Sequence, residues 1–198
     1  MTVMGLATPL ERAAEIEQLS AVLVAARDGR GQVCVVEGPS GVGKSRLLDE
    51  SASSAAALGM CTLRVWCSEL TRDFPFGVAR SMFGAESMRA DAETRAMALR
   101  GPAALAEPLF GCGEATDEFA VIHGLYWLTL NLAEQRPIAI IVDDVPWADD
   151  LSLRFLAYLA ERLEDAPVAL VVAIRSGDTG ADSPRTRNAG TFCGRCEP

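Results

Sequence analysis

The chain has 198 residues, of which 49% are apolar, and this is enough to build the core of one globular domain. Its formal net charge of −9 argues against direct binding of DNA or RNA, because contacts to a phosphate backbone need a positively charged surface. No apolar run reaches the roughly 18 residues of a membrane span, and the N-terminus lacks the pattern of a signal peptide, so we expect a cytoplasmic protein.

Strand and helix patterns alternate along the sequence. A first helix is predicted to begin at Thr8-Pro9-Leu10-Glu11, where Thr8 can cap the helix and Glu11 completes a capping box. Strands are predicted at 33–37, 61–67, 138–144 and 168–175, and helices at 44–59, within 74–136 and at 151–164. This alternation predicts an α/β fold with a mostly parallel sheet, arranged as a three-layer sandwich.

A glycine-rich loop follows the first of these strands. Gly38, Gly43, Lys44 and Ser45 match G-x-x-x-x-G-K-[ST], and the match lies between a strand and a helix, as a phosphate-binding loop requires. Lys44, the only lysine among 18 basic residues, would contact the β- and γ-phosphates, and the Ser45 hydroxyl would bind Mg²⁺. The predicted nucleotide-binding residues are Gly38, Pro39, Ser40, Gly41, Val42, Gly43, Lys44, Ser45 and Arg46.

Charged residues end the two later buried strands. Asp143 and Asp144 follow the apolar run 138–142 and are predicted to lie beside the phosphate-binding loop. Asp143 would hold Mg²⁺, and Asp144 would orient or deprotonate a water that attacks ATP. Arg175 ends the fourth predicted strand and could sense the γ-phosphate. Lys44, Asp144 and Arg175 are therefore the catalytic candidates, and ATP with Mg²⁺ is the expected ligand.

The cysteines and the single histidine are predicted to be structural. Cys61 and Cys67 lie at opposite ends of one predicted strand, too far apart for a disulfide. Cys193 and Cys196 have the spacing of zinc ligands but lack a second pair. His123 lies on a predicted helix among apolar residues, which favours packing over catalysis.

With these residues placed, the chain resembles the N-terminal ATP-binding domain of the large LuxR-type transcriptional regulators, which belong to the STAND group of AAA-like signalling ATPases. The similarity rests on "LERAAEIEQL", "GQVCVVEGPSGVGKSRLL", "CSELTRDFPFGVARSMF", "FAVIHGLYWLTLNLAEQRPIAIIVDD", "WADDLSLRFLAYLAERLE" and "PVALVVAIR", in that order. The resemblance implies that residues 38–45 are the Walker A loop, that Asp143 and Asp144 are the Walker B pair, and that Arg175 is the sensor arginine. It also implies that ATP acts as a switch, while DNA is bound only by a separate C-terminal helix-turn-helix.

The chain departs from this family in several places. Pro146 replaces a usual histidine, which removes a polar side chain and an N–H group near the site. The fifth strand and the helical lid are expected to be missing, which would leave the P-loop strand at a sheet edge and favour self-association. We expect a lead-in helix at 1–30, an ATP-binding domain at 31–175 and a disordered or aberrant tail at 176–198.

Three functions remain open from the sequence. The first is a regulatory ATP-binding module that hydrolyses ATP slowly or not at all. The second is a metabolic P-loop enzyme such as a small-molecule kinase, although no arginine-rich lid follows the fourth strand. The third is a non-functional fragment of a regulator. A GTPase is excluded because the single lysine lies in the P-loop and cannot also serve an N-K-x-D motif.

Overall fold

The structure, a computed structural model, describes residues 2–5, 12–89, 91–111 and 117–175. Within these residues, five strands form one parallel sheet in the order β1-β2-β5-β4-β3. The strands are β1 (Thr2–Gly5), β2 (Gln32–Gly38), β3 (Cys61–Trp66), β4 (Ile138–Asp143) and β5 (Val168–Arg175). The predicted α/β fold is therefore confirmed, and four of the strands lie within one residue of their predicted ends.

Helices cover both faces of the sheet. They are α1 (Arg12–Arg27), α2 (Lys44–Ala57), α3 (Gly77–Arg89), α4 (Ala92–Ala98), α5 (Glu118–Gln135) and α6 (Asp150–Ala160), with 3₁₀ segments at Glu69–Thr71, Gly101–Leu109 and Val145–Trp147. Helices α1 and α2 pack on one face, and α3, α5 and α6 pack on the other. The result is the predicted three-layer sandwich.

Alternating side chains of the central strands form two apolar cores. In β4, Ile138, Ile140 and Val142 belong to the core beneath α3, α5 and α6, whereas Ala139 and Ile141 belong to the core beneath α1 and α2. Every residue of β4 is buried, which explains the uninterrupted apolar run in the sequence. Each fully buried isoleucine contributes about 1.5–3 kcal/mol, so these strands hold the site on a rigid base.

The N-terminal strand corrects one prediction. Residues Thr2 to Gly5 pair in parallel with β2, from Cys34 to Glu37. The strand β2 is therefore an interior strand, and the prediction that it lies at the sheet edge is wrong. The sequence did not reveal β1 because four residues are too few for a periodic pattern, and backbone pairing does not depend on side-chain identity. The expected self-association was attributed to an exposed edge at β2, and that reason no longer holds.

Two predictions lie outside the described residues. These are the helix start at Thr8 and the tail at 176–198, which includes Cys193 and Cys196.

Candidate functional site

The loop between β2 and α2 is shaped by its glycines. Gly41 (φ 79°) and Gly43 (φ 93°) have the left-handed backbone that glycine adopts most readily. Gly43 is the N-cap residue of α2, and it contributes no side-chain hydrogen bond to that end of the helix. The N–H groups of the first helical turn and the positive end of the helix dipole are thus suited to bind an anion.

Lys44 extends back along the same loop. The residue is 6% exposed, and its Nζ donates hydrogen bonds to the carbonyl oxygens of Gly38 (2.7 Å) and Pro39 (2.9 Å). Burial lowers the pKa of Lys44, the Asp144 carboxylate raises it, and the Arg175 guanidinium lowers it. The ammonium group therefore lies at the junction between the glycine loop and the charges at the ends of β4 and β5.

The two carboxylates lie where the sheet order brings them next to this loop. Because β5 separates β2 from β4, the C-terminal ends of these three strands are neighbours at one edge of the sheet. Asp143 ends β4 and is 4% exposed. Asp144 follows it with a left-handed backbone (φ 56°), which is uncommon for a residue other than glycine. The structure thus brings Asp143 and Asp144 within electrostatic range of Lys44.

Arg175 forms a bidentate ion pair with Asp144. Arg175 Nε lies 2.8 Å from Asp144 Oδ1, and Nη2 lies 2.7 Å from Oδ2. The side chains are 36% and 13% exposed, so the pair is partly shielded from water. Hydrogen bonding to Arg175 is the main reason that the pKa of Asp144 is lowered, while burial acts in the opposite direction. Arg175 is in register with Gly38, which places it between the glycine loop and Asp144.

The available ligand atoms suit Mg²⁺ that is held largely by phosphates. Ser45 is exposed in the first turn of α2, and Asp143 ends β4. Among the described residues, no group of three His, Cys, Asp or Glu side chains could form a metal site. Mg²⁺ commonly binds one or two protein oxygens and completes its shell with phosphate oxygens and water. One hydroxyl and one carboxylate therefore fit a magnesium ion carried by a nucleotide.

Two further positions near the site have local roles in the structure. Arg46 is exposed and pairs with Glu50 one turn along α2, with Nε 3.4 Å from Oε1. Pro146 lies in the first turn of the 3₁₀ segment Val145–Trp147. An N–H group at that position would have no partner within the helix, so proline loses no hydrogen bond there. Trp147 N donates to the carbonyl oxygen of Asp144 at 2.9 Å, so the turn closes normally with proline in it.

His123 lies in an aromatic cluster between α5 and α6. Its Nδ1 is 3.0 Å from the Tyr158 hydroxyl, and its Nε2 accepts a hydrogen bond from Trp127 Nε1 at 3.0 Å. The ring also stacks on Phe119, with centroids 6.3 Å apart. These contacts support the packing interpretation of this histidine.

Cys34 and Cys67 are buried, and Cys61 is half-buried. Burial raises the pKa of both Cys34 and Cys67 to about 12. For Cys67, the carboxylates of Asp149, Asp144 and Asp143 contribute after burial. At neutral pH these two side chains are therefore protonated and act as small apolar groups.

Sequence reasoning missed two residues that border the site. Trp66, which is 73% exposed, ends β3 in register with Asp143. Asp149 is the N-cap residue of α6, and its carboxylate also accepts hydrogen bonds from Phe76 N and Val78 N. A capping pattern predicts partners within one turn, whereas these partners are more than 70 residues away.

Comparisons with known proteins agree with this geometry. The search of curated proteins finds no match. None of the helices among the described residues combines the length and the apolar character that a membrane crossing requires. The family model for the AAA ATPase domain matches residues 8–172, which include the glycine loop, Lys44, Asp143 and Asp144. The match covers most of the 198 residues, and the chain therefore belongs to the AAA ATPase domain family.

Proposed function

We propose that this chain is the ATP-binding switch module of a LuxR-type regulator of the STAND class, and that it holds ATP with slow or no hydrolysis. The observation that carries the proposal is the bidentate pair between Arg175 and Asp144. The residue expected to sense the γ-phosphate and the residue expected to act on water are engaged with each other. A bound nucleotide must compete for them, which favours a switch over a rapid catalyst.

Binding would use the glycine loop and Lys44. The N–H groups at the start of α2 would donate hydrogen bonds to the β-phosphate, and Lys44 Nζ would turn from the carbonyls of Gly38 and Pro39 toward the β- and γ-phosphates. Ser45 and Asp143 would hold Mg²⁺, which supplies positive charge to the phosphate oxygens. These residues account for the holding of ATP.

Hydrolysis would make an additional demand on Asp144. A carboxylate deprotonates water poorly when its pKa is low, and the hydrogen bonds from Arg175 to both oxygens of Asp144 lower that pKa. If Arg175 moves to the γ-phosphate, Asp144 becomes free for water at the same time. Turnover therefore depends on a prior exchange of partners, which supports a slow rate.

The regulator assignment rests on the resemblance of the segments quoted above. The net charge of −9 fits a module that leaves contact with DNA to another domain. The gene sequence downstream of codon 198 tests this assignment, and an open frame that encodes a helix-turn-helix would support it. In a separate assay, transfer of phosphate from ATP to a small-molecule acceptor would favour the kinase alternative instead.

ATP binding is tested by calorimetry with Mg²⁺ present. We expect Lys44→Ala to weaken ATP binding by at least about tenfold, since a hydrogen bond to a charged group is worth about 1.5–3 kcal/mol. Arg27→Ala is the matched control, because Arg27 is an exposed cation that pairs with Asp28 at the end of α1. Equal loss in both variants would mean that net charge, and not the loop, governs binding.

Holding is separated from turnover by the fate of radiolabelled ATP. The chain is loaded with γ-labelled ATP, and bound nucleotide and free phosphate are measured over an hour. We expect mostly intact ATP and a rate far below the roughly 1–10³ per second of ordinary enzymes. Rapid release of phosphate that disappears in Asp144→Asn would identify the chain as a true ATPase.

A further inference from the structure

The outer edge of β3 carries backbone groups that no strand among the described residues pairs with. Along a strand, the N–H and C=O groups of successive residues point to opposite sides, so every second residue faces the same neighbour. Cys61 N donates to the carbonyl oxygen of Pro137 at 2.7 Å, which shows that the odd-numbered residues of β3 face β4. The N–H and C=O groups of Thr62, Arg64 and Trp66 therefore point away from the sheet.

An exposed tryptophan and two further apolar side chains accompany this edge. Trp66 ends β3 and is 73% exposed. Leu70 and Phe74, in the segment that continues from β3, are 81% and 66% exposed. These are three of the seven large apolar side chains that are exposed in the described part of the chain. Exposed apolar groups that gather in one region, unlike isolated ones, commonly mark a contact surface.

Two copies of β3 can pair with each other in one register that uses the whole edge. In an antiparallel pair with a two-fold axis at Arg64, Arg64 lies opposite its own counterpart, and Trp66 lies opposite the second copy's Thr62. All three outward-facing residues of each copy then exchange hydrogen bonds across the axis. A shift of either strand by two residues would place one of the three beyond the end of the other strand.

The charge on this edge is balanced within each copy. Charged side chains on an edge strand normally prevent pairing, and two arginines directly opposite each other would repel. The Arg64 guanidinium, however, forms an ion pair with Asp49 of α2. At the two-fold axis, two Asp49 carboxylates would accompany the two Arg64 side chains, so the four charges sum to zero.

We propose that the outer edge of β3 is a self-association surface, on which a second copy of the chain pairs its own β3 in antiparallel orientation about an axis at Arg64. The partner is a second copy because the edge is complementary to itself in hydrogen bonding and in charge. Since β3 has six residues, against roughly 20–30 residues on each side of a standard interface, the dimer is weak and forms as the concentration rises. This surface does not depend on ATP binding.

Sedimentation equilibrium of the full chain over a range of concentrations tests the surface. We expect a reversible equilibrium between monomer and dimer. Trp66→Ser should weaken dimerisation by at least about tenfold, since tryptophans are prominent among the side chains that dominate binding energy. Phe119→Ser is the matched control, because it removes an exposed aromatic side chain from α5, and it should leave the equilibrium unchanged.

A proline at position 64 tests the backbone pairing. Arg64→Pro removes an outward-facing N–H group and no hydrogen bond to β4, so it should abolish the dimer while the monomer stays folded by circular dichroism. If this variant does not fold, Trp66→Ser and the following charge variants decide.

A double-mutant cycle tests the axis. Asp49→Ala leaves two unbalanced arginines at the axis and should weaken the dimer. In the Arg64→Thr background the same substitution should have no effect, because the charge that Asp49 balances is gone.

Four results would overturn the proposal. The chain could stay monomeric at every concentration, or its dimer could be equally strong in Trp66→Ser and Arg64→Pro. Asp49→Ala could have the same effect in both backgrounds. Growth beyond a dimer would indicate an open head-to-tail contact between β3 and β1 of the next copy. Association that follows deletion of residues 1–5 uses the opposite edge of the sheet, and it should persist in Arg64→Pro.

Discussion

The exchange of Arg175 between Asp144 and a γ-phosphate gives the sharpest prediction. Asp144→Asn removes the charge of the partner that Arg175 binds at both oxygens, so the guanidinium can move to the γ-phosphate at a lower cost. ADP lacks that phosphate and gains nothing from the release. The substitution should therefore increase affinity for ATP over ADP, while Arg175→Ala should decrease it.

The size of the effect follows from the surroundings of the pair. Exposed ion pairs contribute about 0.2–1 kcal/mol, whereas breaking a buried pair costs about 3–5 kcal/mol. Asp144 and Arg175 have side chains 13% and 36% exposed, so screening by solvent puts this pair between the two, at about 2 kcal/mol. Since 1.4 kcal/mol is a factor of ten, the ratio of ATP to ADP affinity should rise by up to about 30-fold in Asp144→Asn.

The assay is calorimetric titration of ATP and ADP, with Mg²⁺, into the wild type, Asp144→Asn, Arg175→Ala and the double variant. Removing a negative charge near the site also reduces repulsion of ATP, and this contribution does not need Arg175. The double variant separates the two effects. If the gain acts through Arg175, it should disappear when both residues are replaced.

Two results would refute the reasoning. A gain that persists in the double variant means that relief of repulsion, and not release of Arg175, favours ATP. An unchanged ratio in Arg175→Ala means that Arg175 does not contact the γ-phosphate, and its role as sensor is then lost.

Three further predictions follow from the described residues. Asp143→Asn should remove most of the Mg²⁺ dependence of ATP binding, measured as the ratio of the dissociation constants with Mg²⁺ and with EDTA; an unchanged ratio would exclude Asp143 as the metal ligand. Cys34 and Cys67, with pKa values raised to about 12, should resist alkylation by iodoacetamide at pH 8, while the half-buried Cys61 reacts before either of them, and peptide mass spectrometry will show the order of these three. Deleting residues 1–5 should expose the backbone of β2 and produce concentration-dependent association by light scattering, whereas a monodisperse monomer would show that β1 does not protect that edge.

The fold could be predicted well where the pattern is local. The apolar runs of β4 and β5 are long enough to identify strands buried on both faces, and the order of strands and helices then implies a parallel sheet. The helix α2 was predictable at both ends, from the glycine loop before it and from Gly59 (φ 77°) after it. The strand β1 was not, because it consists of four residues stabilised by pairing with β2.

The candidate site was predictable in its parts but not in its connections. Lys44 and Ser45 are identified by a short motif, because the residues that bind phosphate lie next to each other in the sequence. The ion pair of Arg175 with Asp144 joins residues 31 positions apart, and the bond from Phe76 N to Asp149 joins residues 73 positions apart. No local pattern encodes such pairs.

The sequence by itself determined the order of elements, the phosphate-binding loop and the two acids after a buried strand, because hydrophobic periodicity and backbone conformation act over a few residues. Only the tertiary structure decided that β1 pairs with β2, that Arg175 binds Asp144 and that Asp149 caps α3. These contacts exist because the strand order brings distant chain segments to one edge of the sheet, where charge and hydrogen bonding select the partners.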